Sequence, residues 1–154
     1  MASKIDAKLA ELGITLPNAA VPAANYIPYV VTGNLVFIAG QVSRFNDELI
    51  KGKLGAGTDI ATGQKAARYC ALNILAHLKN ACGGDLDRVR RCVKVGGFVN
   101  GAPDFTDPPQ VMNGASDLLV SVFGDAGKHA RFAIAVASLP QGAAVEADAV
   151  FEIA

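Results

Sequence analysis

Tyr29-Val30-Val31-Thr32 and Leu35 to Ala39 lie on either side of Gly33-Asn34, and no other stretch narrows the fold as much. Two runs of β-branched and aromatic residues around a two-residue turn that needs positive φ predict a tight antiparallel hairpin. Gly40-Gln41 is expected to end its second strand. This part of the chain is thereby committed to a sheet.

The other segments carry helix and strand signals in turn. Ser3 to Leu12 reads as a short amphipathic helix: Ile5, Leu9 and Leu12 share a face, Ser3 can cap with Asp6 three residues on, and Gly13 stops it. Residues 14–25 hold two prolines and many small side chains, which reads as a loop with room for a brief extended piece. Residues 44–57 are polar, contain glycine and lack a period, hence a second loop. Thr58 to Cys82 reads as a long helix, with Ile60, Ala67, Ala71, Ile74, Leu78 and Ala81 on one face and Gly83-Gly84 as the stop. Arg88 to Asn100 is a strand, weighted by Val89, Val93, Val95 and Val99. Pro108 to Phe123 is a helix, with Asp107 as cap, Pro108 at the first helical position and Gly124 behind it. Two strands, Arg131–Ser138 and Val145–Ile153, are joined by Leu139 to Ala144 as a second hairpin. This order predicts an α+β fold, a mixed or mostly antiparallel sheet with helices on one face. A chain of 154 residues fits a single domain, residues 1–154.

Charged residues make up only 18% of the chain, below the roughly 25% of soluble domains. So little charge leaves apolar surface for another subunit to cover, which predicts a homo-oligomer. Fourteen basic and fourteen acidic residues cancel, which argues against a nucleic-acid partner. The N-terminal residues alternate charged and apolar without a signal peptide's apolar stretch, and no segment reaches the ~18 apolar residues of a membrane span. A cytoplasmic protein without a membrane partner is the expectation. Cys70, Cys82 and Cys92 have no CxxC or other metal-ligand spacing, so they read as free, buried thiols, and no metal site is expected. His77 and His129 have no metal or triad partner at usable spacing and read as structural. Arg88, Arg90, Arg91 and Lys94 have no interleaved aromatics and read as a solvated strand start.

The last two strands are informative face by face. Phe132, Ile134 and Val136 point one way, and Arg131, Ala133, Ala135 and Ala137 the other. Val145, Ala147, Ala149, Phe151 and Ile153 share a face opposite Glu146, Asp148, Val150 and Glu152. Matching bulky face to bulky face puts Arg131, the alanines, Glu146, Asp148 and Glu152 together on a face turned away from the helices. With Ser138 opposite Val145, Arg131 and Glu146 lie roughly 20 Å apart at ~3.3 Å per residue. The pair could then share a site only across a subunit boundary.

The string from Ala130 to Val150, ARFAIAVASLPQGAAVEADAV, resembles the signature of the Rid/YjgF family: an arginine opens a strand, Leu-Pro ends it, and acidic residues follow. The Arg-x7-Leu-Pro-x5-Glu spacing is specific. Pro28-Tyr29-Val30, Ala39-Gly40-Gln41, Gly97-Phe98-Val99 and Asp104-Phe105 extend the resemblance over roughly residues 27 to 152. The resemblance implies a chorismate-mutase-like fold and trimers with clefts between subunits. It also implies an activity without cofactor or metal: hydrolysis of reactive enamines and imines to 2-keto acids and ammonia. By position, Arg131 would bind the substrate carboxylate, Gly40 would offer a backbone group, Tyr29 would line the cleft and Glu146 would hold or activate water. Ala133, where the deaminase branch has cysteine, and Ala39, where it often has serine, mark a divergent subgroup, as do the N-terminal helix (residues 1–13) and the long 44–57 loop. The alternatives are a trimer that binds small carboxylates without turnover and an endoribonuclease or translation inhibitor, activities described for some family members.

Overall fold

A computed structural model describes residues 3–19 and 24–154. Residues 20–23 of the expected 14–25 loop, and Met1 and Ala2 of the N-terminal segment, lie outside the described residues. The elements run α1 (Lys4–Glu11), β1 (Tyr29–Thr32), β2 (Leu35–Val42), β3 (Arg44–Phe45), β4 (Glu48–Leu49), α2 (Ile60–Ala81), β5 (Val89–Asn100), α3 (Pro108–Phe123), β6 (Ala130–Val136) and β7 (Val145–Ile153).

The helix ends follow their local chemistry. Ser3 Oγ accepts the Asp6 N–H at 2.9 Å, and the carboxylate of Asp87 accepts the N–H groups of Lys4 and Ile5 at 2.9 Å each. Asp59 caps α2 by accepting from the Thr62 N–H at 2.8 Å. Asp107, expected to cap α3, makes no such bond; Pro108 alone sets that first turn. The 44–57 stretch is not simply a loop either. Arg44-Phe45 pairs with Glu48-Leu49 around Asn46, whose φ of 50° makes the turn.

Five strands form one sheet in the order β1-β2-β7-β5-β6, with β5 and β6 parallel and the other pairs antiparallel. The β1–β2 hairpin is as expected, with Gly33 at φ 58° in its turn, although β2 continues past Gly40-Gln41 to Val42. The second expected hairpin does not exist: β5 lies between β6 and β7. The strand–helix–strand run β5-α3-β6 forms a parallel unit, because α3 is long enough to carry the chain back over the sheet.

This topology also reverses the face assigned to β6. Arg131 and Ala149 flank Val95 on either side across the sheet, and Val95 and Ala149 are buried in the core. Arg131, Ala133 and Ala135 therefore face the helices. Phe132 and Ile134 share the open face with Asp148 and Glu146. The reason is close packing. A Cβ on Gly97 would stand 2.5 Å from Met112 Cγ of α3, so the helix sits low over this strand pair and its partner Ala133 is small too. On the open face Phe132 packs edge-on against Phe98 at 5.3 Å and lies under Lys94 Nζ.

The core lies between α2, α3 and the helix-side face, centred on Phe151, Leu75, Leu78, Leu119 and Val95. Cys70, Cys82 and Cys92 are free and buried in it, as expected. On the open face Phe37, Val30 and Ile134 remain 44%, 48% and 48% exposed. No helix among the described residues is long and apolar enough to cross a membrane.

Candidate functional site

On the open face, β2 breaks register against β7 between Ile38 and Gln41, which lifts Ala39 and Gly40 out of the ladder. Gly40 then lies directly against Glu146. A Cβ there would stand 2.6 Å from Glu146 Oε2, so glycine is what lets the backbone approach the carboxylate. Glu146 is half-buried; burial, and secondarily the nearby Asp148 carboxylate, push its proton affinity above the ordinary carboxylate value. Asp148 Oδ1 accepts the Gly96 N–H at 3.2 Å.

Arg131 lies on the other face, at the β6 edge. Its Nη1 donates to Asn113 Oδ1 at 3.0 Å and to Ser116 Oγ at 3.1 Å, and its Nη2 donates to the Pro109 carbonyl at 3.4 Å. Residues 109, 113 and 116 fall on one side of α3, so the guanidinium runs along the helix. Ser116 Oγ is 2.9 Å from His129 Nε2, whose Nδ1 is 2.6 Å from the Gly127 carbonyl oxygen.

Of the residues singled out in the sequence, Gly40 and Glu146 come together. Arg131 does not join them: it pairs with Val95 and Glu146 with Phe98, on opposite faces. Three positions along β5 and two strand spacings across give roughly 14 Å between their backbones. Ala133 is next to Arg131 on the helix side. Tyr29 pairs with Ile38 at the far edge, packs against the core and borders an open pocket of about 260 Å³ with Phe37 and Asp148. The two halves of the expected site are thus separated within one chain, by sheet face as well as by length.

A family model described as "YjgF/chorismate mutase-like, putative endoribonuclease" matches residues 6–146. This chain belongs to that family. Relatives of this chain include Protein TCP17 of Trypanosoma cruzi, 50% identical over 97% of this chain and 94% of that protein. A solved structure of Atu1372 from Agrobacterium tumefaciens, of unknown function, is 45% identical over 97% of this chain and 92% of its own, with a TM-score of 0.91. A "putative endoribonuclease" from Shewanella oneidensis is 31% identical over 97% and 99%, with a TM-score of 0.92.

Sequence reading of this YjgF-like chain passed over Asn113 and Ser116 and took His129 as structural. Asn113 and Ser116 are ordinary polar positions on a helix, and His129 was without a partner only along the sequence. The parallel return of β6 under α3 is the signal that could have joined them. Lys53 was missed as well. It donates to Asn100 Oδ1 at 2.7 Å and to the Ala137 carbonyl at 2.6 Å, closing the ends of β5 and β6 beside an open pocket of about 340 Å³.

Proposed function

We propose that this chain hydrolyses reactive 2-imino and 2-enamino acids to 2-keto acids and ammonia, in clefts between the subunits of a homotrimer. The observation that carries the reading is the division of the Arg131…Glu146 signature over two faces of one sheet. A carboxylate-bearing substrate needs both groups at once, and a second copy of the chain can bring the missing half. The exposed Phe37, Val30 and Ile134 supply apolar surface for that copy to cover.

In this mechanism Arg131 binds the substrate carboxylate through its planar donor fork. The backbone at Gly40 flanks the reacting group, and Tyr29 and Ala133 line the cleft. Glu146 orients a water against the C=N carbon and takes its proton as the C–O bond forms; its raised proton affinity suits a general base that must then return the proton. Delivered to the nitrogen, that proton completes a carbinolamine; the hydroxyl proton then passes to the nitrogen as the C–N bond breaks, releasing ammonia and the ketone. The C=N carbon is already electrophilic, so positioned water suffices and the mechanism calls on no cofactor.

The names of the family model and of the Shewanella relative favour a second reading, RNA cleavage. It stands second because the basic cluster is partly engaged elsewhere. Arg88 donates to the Ala154 carbonyl at 2.8 and 3.2 Å, and Lys94 lies over Phe132. The deciding experiment generates 2-imino acids in situ with an amino-acid oxidase and follows keto-acid formation. The protein is expected to accelerate it, and Arg131→Ala and Glu146→Ala to abolish the acceleration. Rates equal to spontaneous hydrolysis across the panel would overturn the catalytic reading.

A further inference from the structure

We infer that Asn113, Ser116 and His129 are positioning residues that hold Arg131 as a pre-set carboxylate clamp; this rests on the reading of Arg131 as the carboxylate-binding group. The donor count carries it. A guanidinium has five N–H groups. Two on Nη1 go to Asn113 and Ser116 and one on Nη2 goes to Pro109. Among the described residues no acceptor meets Nε–H or the second Nη2–H. The donors left over, Nε–H and one N–H of the adjacent Nη2, lie on neighbouring nitrogens of the guanidinium and can meet the oxygens of a carboxylate. An arginine kept only to fasten α3 to β6 would not need to leave those donors unused.

The direction of the Ser116 hydroxyl is set one step further back. Gly127 O can only accept, so Nδ1 of His129 carries a proton, and in the neutral ring Nε2 is an acceptor. Ser116 therefore donates to His129 and turns its lone pairs toward Arg131 Nη1. The chain of donors runs from Arg131 through Ser116 and His129 to a backbone carbonyl. His129 touches no substrate in this arrangement; it acts through Ser116, and Ser116 through Arg131.

Calorimetric titration of the full chain with pyruvate tests this. Arg131→Ala is expected to weaken binding by more than about tenfold. Ser116→Ala and His129→Leu should each weaken it by about three- to fivefold, and the double variant no more than Ser116→Ala alone, because the two act in series. His129→Gln, whose amide oxygen can accept from Ser116, should bind like wild type. A purely structural role would instead lower the melting temperature, add in the double variant and resist rescue by glutamine. Should Ser116→Ala fold poorly, Asn113→Ala removes the other acceptor at an exposed position, with the same expectation. If Ser116→Ala, Asn113→Ala and His129→Leu all bind like wild type while Arg131→Ala does not, the positioning inference is wrong and the clamp reading stands. If Arg131→Ala itself binds like wild type, both fall.

Discussion

The edge carrying Arg131 and the open-face corner carrying Glu146 hold their charges by opposite means. Arg131 is tied by hydrogen bonds to a helix, and its charge keeps polar partners on one side. Glu146 is crowded by backbone at a glycine and loses water in doing so. The first arrangement fixes direction at little cost in stability; the second raises proton affinity and strains the folded state when the group ionises. A hydrolytic cleft needs one of each, a clamp that stays charged and a base that can take and return a proton.

Separating the two halves genetically should have the largest effect. Arg131→Ala and Glu146→Ala proteins are each expected to be inactive, and co-refolding them should restore activity in about a quarter of randomly assembled clefts. Mixtures that stay inactive would show that the halves never meet across a boundary.

A smaller effect probes the Glu146 corner alone. Gly40→Ala places a Cβ 2.6 Å from Glu146 Oε2. The carboxylate is the far end of a flexible side chain, so the fold should persist while the base is displaced, lowering turnover by about tenfold or more. Unchanged turnover would remove Gly40 and its neighbour from the chemistry.

The smallest effect concerns stability against pH, measured in the Arg131→Ala background so that burial and the neighbouring Asp148 carboxylate act on Glu146 without that cation. A carboxyl with raised proton affinity in the fold contributes its full share to stability while protonated, below the ordinary value of 4.5, and loses it as pH rises through the folded value. Adding Glu146→Gln should therefore change nothing at the acid end and give a growing advantage in melting temperature above it. An advantage that shrinks with rising pH would mean Glu146 is stabilised as the anion.

Much of this was legible where local chemistry decides the structure. Ser3, Pro108 and the glycines behind each helix marked α1, α2 and α3, and Gly33-Asn34 marked the first hairpin. The pairing of the last strands was not legible, because matching bulky faces assumes that bulk seeks the core. Phe132 and Ile134 break that assumption by lying on the open face, and Ala133 is small because α3 presses on Gly97 beside it. Arg131 and Glu146 were found from their spacing, yet placed on one face for that reason. The partners of Arg131 sit on α3, 15 to 22 residues away in sequence, and only the parallel crossover brings them under the guanidinium.

The strand order has a consequence for how the molecule comes into being. β7, the last strand of this sequence, occupies the middle of the sheet, between β2 and β5. During synthesis the β1–β2 hairpin is made long before it and the β5-α3-β6 unit just before it, each with an unpaired edge. Neither edge can close until Val145 to Ile153 have left the ribosome, so the sheet is assembled from two waiting halves by its final strand. Until that moment Phe37 and Ile134 belong to separate, open-edged fragments, the kind of species that exposes apolar surface and unpaired strand edges to aggregation.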